Sequence, residues 1–200
     1  MYVATPGGTP EKMCEGCLRA TDWSRDGNNL LVFGGDPYQI SILDVRSREQ
    51  IALLRHPTYN ILYARFSPDN RWVSFTARID SNRGRIAIAP IDASRPVPES
   101  AWITIQDVEA EDYANWSPDG KTLYFTSAID GHKCLWGQRL DSSSRRPAGP
   151  VSPVQHIHGL DFRNGGWSAG GGRIALALVE TTGNIWMLSH PGSGGAAAPR

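Results

Sequence analysis

No charge of one sign dominates this sequence: Lys plus Arg number 20, and Asp plus Glu number 20. Such a chain offers no basic field for a phosphate backbone and no acidic field for a cation-rich partner, so nucleic acid is not an expected ligand. Long apolar runs are also missing. None approaches the roughly 20 residues that span a bilayer, and no membrane insertion is expected. Cysteine is scarce and odd in number, with only Cys14, Cys17 and Cys134. The chain is too long to depend on a disulfide framework, so these residues name no redox compartment. The N-terminus lacks both a basic region and an apolar stretch and does not read as a signal peptide. With Met1 as the true start the expected compartment is the cytoplasm; for a truncated fragment it is the periplasm. What the sequence does have is 7 Trp, 21 Gly and 14 Pro beside a hydrophobic fraction of 40%. That is the composition of a turn-rich, aromatic-cored, all-β protein.

One short phrase returns four times: Trp23-Ser24-Arg25-Asp26-Gly27, Phe66-Ser67-Pro68-Asp69-Asn70, Trp116-Ser117-Pro118-Asp119-Gly120 and Trp167-Ser168-Ala169-Gly170-Gly171. The leading aromatics lie 43, 50 and 51 residues apart. The phrase has the chemistry of a tight turn: Pro fixes φ, Asp bonds the backbone that follows it, and Gly or Asn accepts positive φ. The aromatic before it is expected to end a strand and pack inward. A short apolar strand follows each phrase, at Leu30–Phe33, Trp72–Phe75, Leu123–Phe125 and Ile174–Leu176. After a polar, glycine-bearing connection comes a third strand, at Gln39–Leu43, Arg85–Ala89, Cys134–Gly137 and Asn184–Leu188. A weaker fourth strand is expected at Gln50–Leu54, Trp102–Ile105 and near Val151–Gln155.

Four antiparallel strands repeated at this period make a propeller blade. Phe-Ser-Pro-Asp-Asn, Trp-Ser-Pro-Asp-Gly and the Ile185-Trp186-Met187-Leu188 strand resemble the TolB-like, WD-repeat-like β-propeller family. The opening Tyr2-Val3-Ala4-Thr5-Pro6-Gly7-Gly8 is similar to that family's third strand and turn. The expected blades are a partial one at 1–18 and fuller ones at about 19–62, 63–112, 113–160 and 161–190, with 191–200 a flexible tail. An ordinary closed ring of such units, at about 40–45 residues each, needs more chain than the 200 residues here. The ring is therefore expected to be incomplete. The competing arrangement, a strap from Glu11–Cys14 onto Ile185–Leu188, leaves Tyr2–Thr5 without a place.

Several motifs invite a chemical reading. Gly166-Trp167-Ser168-Ala169-Gly170 fits the Gly-x-Ser-x-Gly elbow and looks like the version in prolyl-oligopeptidase-type peptidases, which also carry a propeller. An elbow needs a helix after the serine, then an acid and a histidine; no aspartate follows Ser168, and Gly170-Gly171-Gly172 is a poor helix start. Ser168 is expected to sit in a degenerate blade turn. Cys14-Glu15-Gly16-Cys17 has half the ligands of a structural zinc site and is expected to be a structural link. His156-Ile157-His158 puts two imidazoles on one strand face, completed only by Asp161, and reads as a polar rim. Asp26, Asp69 and Asp119 are assigned to turn structure. Arg145-Arg146 and the trio Arg78, Arg83 and Arg85 are expected in solvated connections.

The sequence thus predicts no catalytic, cofactor-binding or metal-ligating residues and no cofactor. The resemblance implies a non-catalytic scaffold for protein interaction or ligand sensing, part of a larger bacterial propeller protein, with TolB-like relatives acting as periplasmic partners in envelope complexes. A protein or peptide partner is expected at a propeller rim or channel, with self-association if the ring is open. The alternative is the propeller portion of a prolyl-oligopeptidase or dipeptidyl-peptidase type serine peptidase that lacks its hydrolase domain.

Overall fold

The computed structural model describes residues 2–3, 7–92, 94–109, 113–157, 161–170 and 172–180. The third strand expected at Asn184–Leu188 and the tail at 191–200 lie outside them. The chain is all-β, and its strands run in sequence order through three complete four-stranded antiparallel sheets. The first holds β3 (Arg19–Trp23), β4 (Asn29–Gly34), β5 (Gln39–Asp44) and β6 (Gln50–Leu54). The second holds β7 (Asn60–Phe66), β8 (Trp72–Arg78), β9 (Arg83–Pro90) and β10 (Ile103–Glu109). The third holds β11 (Ala114–Trp116), β12 (Thr122–Ser127), β13 (Cys134–Arg139) and β14 (Ser152–Gln155). Two-stranded sheets flank them: β1 (Tyr2–Val3) with β2 (Glu11–Lys12), and β15 (Asp161–Gly170) with β16 (Arg173–Val179). β7 opens the second sheet with Asn60 paired to Arg78, ahead of a bulge between Leu62 and Arg65.

The turn phrase works as a clasp made of the same bonds three times. The Ser24, Ser67 and Ser117 hydroxyls donate to Asp26, Asp69 and Asp119 at 2.6, 2.5 and 2.6 Å. Each serine oxygen also accepts the backbone N–H that opens the next strand, from Asn29, Trp72 and Thr122, all at 2.9 Å. Both ends of the hairpin are thereby tied to one side chain. The fourth phrase behaves differently. Gly170 stands where the clasp needs Asp, so β15 runs on through Ser168, which pairs with Ala175, and turns only between Gly170 and Arg173. The centre of this turn is thus displaced by one residue from its place in the other three phrases.

Central strands such as Leu30-Leu31-Val32-Phe33 are buried on both faces, here by the second sheet on one side and by Met13 with the Cys14–Cys17 segment on the other. Leu31, Phe33 and Ile40 of the first sheet meet Ile61, Val73 and Phe75 of the second. Ile86 and Ile88 meet Trp116, Phe125 and Trp136 of the third. Tyr113 and Leu135 then pack with Trp167. The inner strands β3, β7, β11 and β15 adjoin in that order, so the sheets lean on one another about a common axis as propeller blades. The described sheets do not close a ring. Among the described residues no helix is long and apolar enough to cross a membrane.

Three of the four leading aromatics pack inward as expected; Trp23 does not, being 45% exposed. Each buried one leans on the blade before it: the Trp116 indole N–H donates to the Arg65 carbonyl at 3.3 Å, and Trp167 stacks on Tyr113 at 5.6 Å between ring centres. On the other side of the first sheet Met13, with Cys14 and Cys17, covers Leu30, Val32 and Leu43. Arg145 is not the solvated loop residue its setting suggests. Its guanidinium spans two blades, bonding the Gly120 carbonyl at 2.6 Å and Asp69 at 2.8 Å, and its side chain is only 15% exposed.

Candidate functional site

Where the inner strands end, the four turn phrases converge on a recess of about 560 Å³. Its lining includes Asp22, Trp23, Arg65, Asn115, Trp167 and Ser168. Asp22, Arg65 and Asn115 share one position in the repeat, immediately before the aromatic. Backbone irregularities precede that position in β3, between Ala20 and Asp22, and in β7, between Leu62 and Arg65, where Tyr63 adopts φ of 55°. Such bulges re-aim the side chains that follow them.

The recess is electrostatically mixed and only partly satisfied. Asp22 accepts the Phe66 N–H at 2.8 Å, joining the first blade to the second. Burial pushes its carboxyl above the ordinary carboxylate range, against the pull of that N–H and of Arg65. The Asn115 amide donates to the Trp167 carbonyl at 3.4 Å. Two donors remain: the Arg65 Nε and the Trp167 Nε1 are buried with no hydrogen-bond partner among the described residues. A buried donor left unpaired costs about 1–3 kcal/mol, and both of these belong to side chains in the lining of the recess. A second depression of about 600 Å³ runs between β9–β10 and the turn after β12. Its charges are matched within the chain, Arg83 with Asp80 at 2.7 Å and Arg85 with Asp107 at 3.3 Å. It has no comparable unmet donor among the described residues.

The sequence motifs fall as follows. Ser168 is exposed inside a β-hairpin, with a second strand and no helix after it among the described residues, so the geometry of an elbow is not there. Cys14 and Cys17 form a disulfide with Cα atoms 6.0 Å apart. His156 does not join His158 and Asp161 in a described cluster, since His158 and the Asp161 side chain lie outside the described residues. It bonds Asp130 instead, at 2.9 Å, beside buried Cys134. Sequence reasoning missed the recess position altogether, although one signal for it was present: the residue before each aromatic is Asp, Arg or Asn in three adjoining units.

No family model and no curated protein matches the chain. Solved structures do. TolB from Acinetobacter baumannii superposes with a TM-score of 0.63 at 17% identity, over 90% of this chain and 45% of that one. A putative TolB from Agrobacterium tumefaciens gives 0.54 at 23% identity, over 74% and 53%. The β-propeller domain of the Trilobed protease from Pyrococcus furiosus, with an open velcro topology, gives 0.52 at 10% identity, over 94% and 56%. The chain thus spans about half the length of these structures, and the likeness at these identities is one of fold: this is a TolB-like β-propeller architecture.

Proposed function

We propose that the chain is a non-catalytic binding propeller whose axial recess receives an extended peptide segment of a protein partner. The observation that carries this reading is the pair of buried donors without a partner among the described residues, Arg65 Nε and Trp167 Nε1, on side chains that line the same recess as the exposed Trp23. Peptide carbonyls and carboxylates are the class of acceptor these donors lack, and the Trp23 indole offers a face to an apolar side chain. Aromatic and arginine side chains in a concave, partly desolvated patch are the usual energetic anchors of such contacts. Panning a displayed random-peptide library against the full chain tests it. Enriched peptides are expected to lose at least about tenfold in affinity, about 1.4 kcal/mol, with Arg65→Ala and with Trp23→Ala. Peptides indifferent to both substitutions overturn the reading.

The second reading, the propeller portion of a serine peptidase, draws its support from the likeness to the Trilobed protease domain. Under it the recess gates substrate for a hydrolase domain encoded alongside. A hydrolase domain in the same reading frame supports it, and stoichiometric labelling of Ser168 by a serine-trapping phosphonate refutes the non-catalytic reading directly.

A further inference from the structure

At the opposite end of the third blade from the recess, three metal-competent side chains from separate segments meet. β12 leaves the recess at Thr122 and reaches the far rim at Ser127, which pairs with Cys134 at the start of β13. Asp130 sits in the turn between them, closed by the Gly131 N–H on the Ala128 carbonyl at 3.0 Å. β14 returns antiparallel, with Gln155 opposite Leu135, and His156 follows at the level of Cys134. The register therefore delivers a thiol, an imidazole and a carboxylate to one point. Their ligand atoms all lie within 4.8 Å of one another.

We propose that Asp130, Cys134 and His156 form a three-ligand site for a borderline-soft divalent cation, zinc above all. The donor set suits it: one sulfur, one nitrogen and one oxygen are what Zn²⁺ accepts, whereas Ca²⁺ and Mg²⁺ take oxygen alone. Zn–S bonds of about 2.3 Å and Zn–N or Zn–O bonds of about 2.0–2.2 Å need donors roughly 3–4 Å apart, a small adjustment from the observed cluster. The thiol is also supported for the role. Cys134 is wholly buried and reduced, and its sulfur accepts the Ile157 N–H at 3.4 Å, which fixes the sulfur beside the start of the segment that carries His156. On binding, the Cys134 proton leaves to solvent as the S–Zn bond forms. The Asp130 carboxylate exchanges its bond to His156 for the metal, and His156 ligates as neutral imidazole. The Asp130 and His156 side chains are 29% and 48% exposed, so the site opens outward and keeps a fourth position for water or a partner's side chain.

The test uses the full chain with Cys14→Ser and Cys17→Ser, so that Cys134 is the sole thiol, reduced and then freed of reductant. Titration with Co²⁺ is expected to raise a thiolate-to-cobalt charge-transfer band in the near ultraviolet, saturating at one ion per chain and displaced by Zn²⁺. Asp130→Asn and His156→Ala, both at exposed side chains and checked for unchanged circular dichroism, are each expected to weaken Co²⁺ binding at least about tenfold. Cys134→Ser is expected to remove the band. No band at millimolar Co²⁺ overturns the site. A binding midpoint unmoved by either Asp130→Asn or His156→Ala overturns the three-ligand assignment.

Discussion

The clasp invites a paired perturbation, Ser67→Ala against Ser168→Ala, because the two serines hold equivalent places in the sequence phrase and different places in the structure. Ser67 is buried, donates to the Asp69 carboxylate and accepts the Trp72 N–H. Removing its oxygen deletes one charge-assisted bond and leaves a half-buried N–H without its acceptor. Bonds to charged groups contribute about 1.5–3 kcal/mol when buried, and this turn is partly solvated, so the expected loss is about 2 kcal/mol. With a urea slope of about 2 kcal/mol/M the midpoint falls by about 1 M. Ser168 is exposed, has Gly170 where the clasp has Asp, and pairs through its backbone with Ala175. Its replacement is expected to cost less than about 0.5 kcal/mol. Urea unfolding followed by tryptophan fluorescence reads both. The Asp69 carboxyl adds a pH signature. Burial would raise it, yet the Ser67 hydroxyl, the Arg71 N–H and Arg145 together hold it below its ordinary 3.8. Its stabilisation is complete above 3.8 and is lost as pH falls through the lower folded value, so the Ser67→Ala deficit shrinks there. Equal costs for the two serines, or a Ser67 deficit that grows in acid, refute the clasp.

Three further outcomes follow from the geometry. Asp22 has its pKa raised by burial, so the folded chain holds that proton more tightly than the unfolded one, and stability falls as pH rises from 3.8 through the raised value; the melting temperature of Asp22→Asn, which keeps an acceptor for the Phe66 N–H, is expected to gain on wild type over that window, and a gap moving the other way refutes it. A Cβ at Gly34 collides with the Gly16 carbonyl, whereas one at Gly170 meets nothing within 4 Å, so in chemical denaturation Gly34→Ala is expected to cost about 1–3 kcal/mol and Gly170→Ala less than about 0.5. Arg145→Met removes the bonds to Asp69 and the Gly120 carbonyl across two blades, and a loss of about 1–2 kcal/mol, smaller at high salt, is expected in the same assay.

The strand order was legible because the turn chemistry is local. Ser, Asp and a residue tolerant of positive φ close each hairpin regardless of what packs outside it, and β4, β8 and β12 fall where Leu30, Trp72 and Leu123 announce them. The fourth phrase misled through the same rule: with Ala169 and Gly170 in place of Pro and Asp, nothing ends β15, and pairing carries it past Ser168. Other features depend on partners distant in sequence. The bulge at Tyr63 is a tertiary event at a residue that favours strands, and without it the alternation does not announce where Arg65 points. Arg145 reads as half of a basic pair until a blade 76 residues away supplies Asp69. Cys134 and His156 were each visible, but only the register of β13 against β14 makes them neighbours. Trp23 shares its phrase with three buried aromatics, and its exposure depends on which strands flank it.

The position ahead of each aromatic stands outside the clasp, and at Asp22 and Asn115 it carries a bond to the neighbouring blade. A change there therefore reshapes the recess and leaves the three Ser–Asp hairpin bonds in place. Under the proposed binding role, Asp22, Arg65 and Asn115 are three dials on one frame, and turning Asp22 or Asn115 also touches a tie to the next blade.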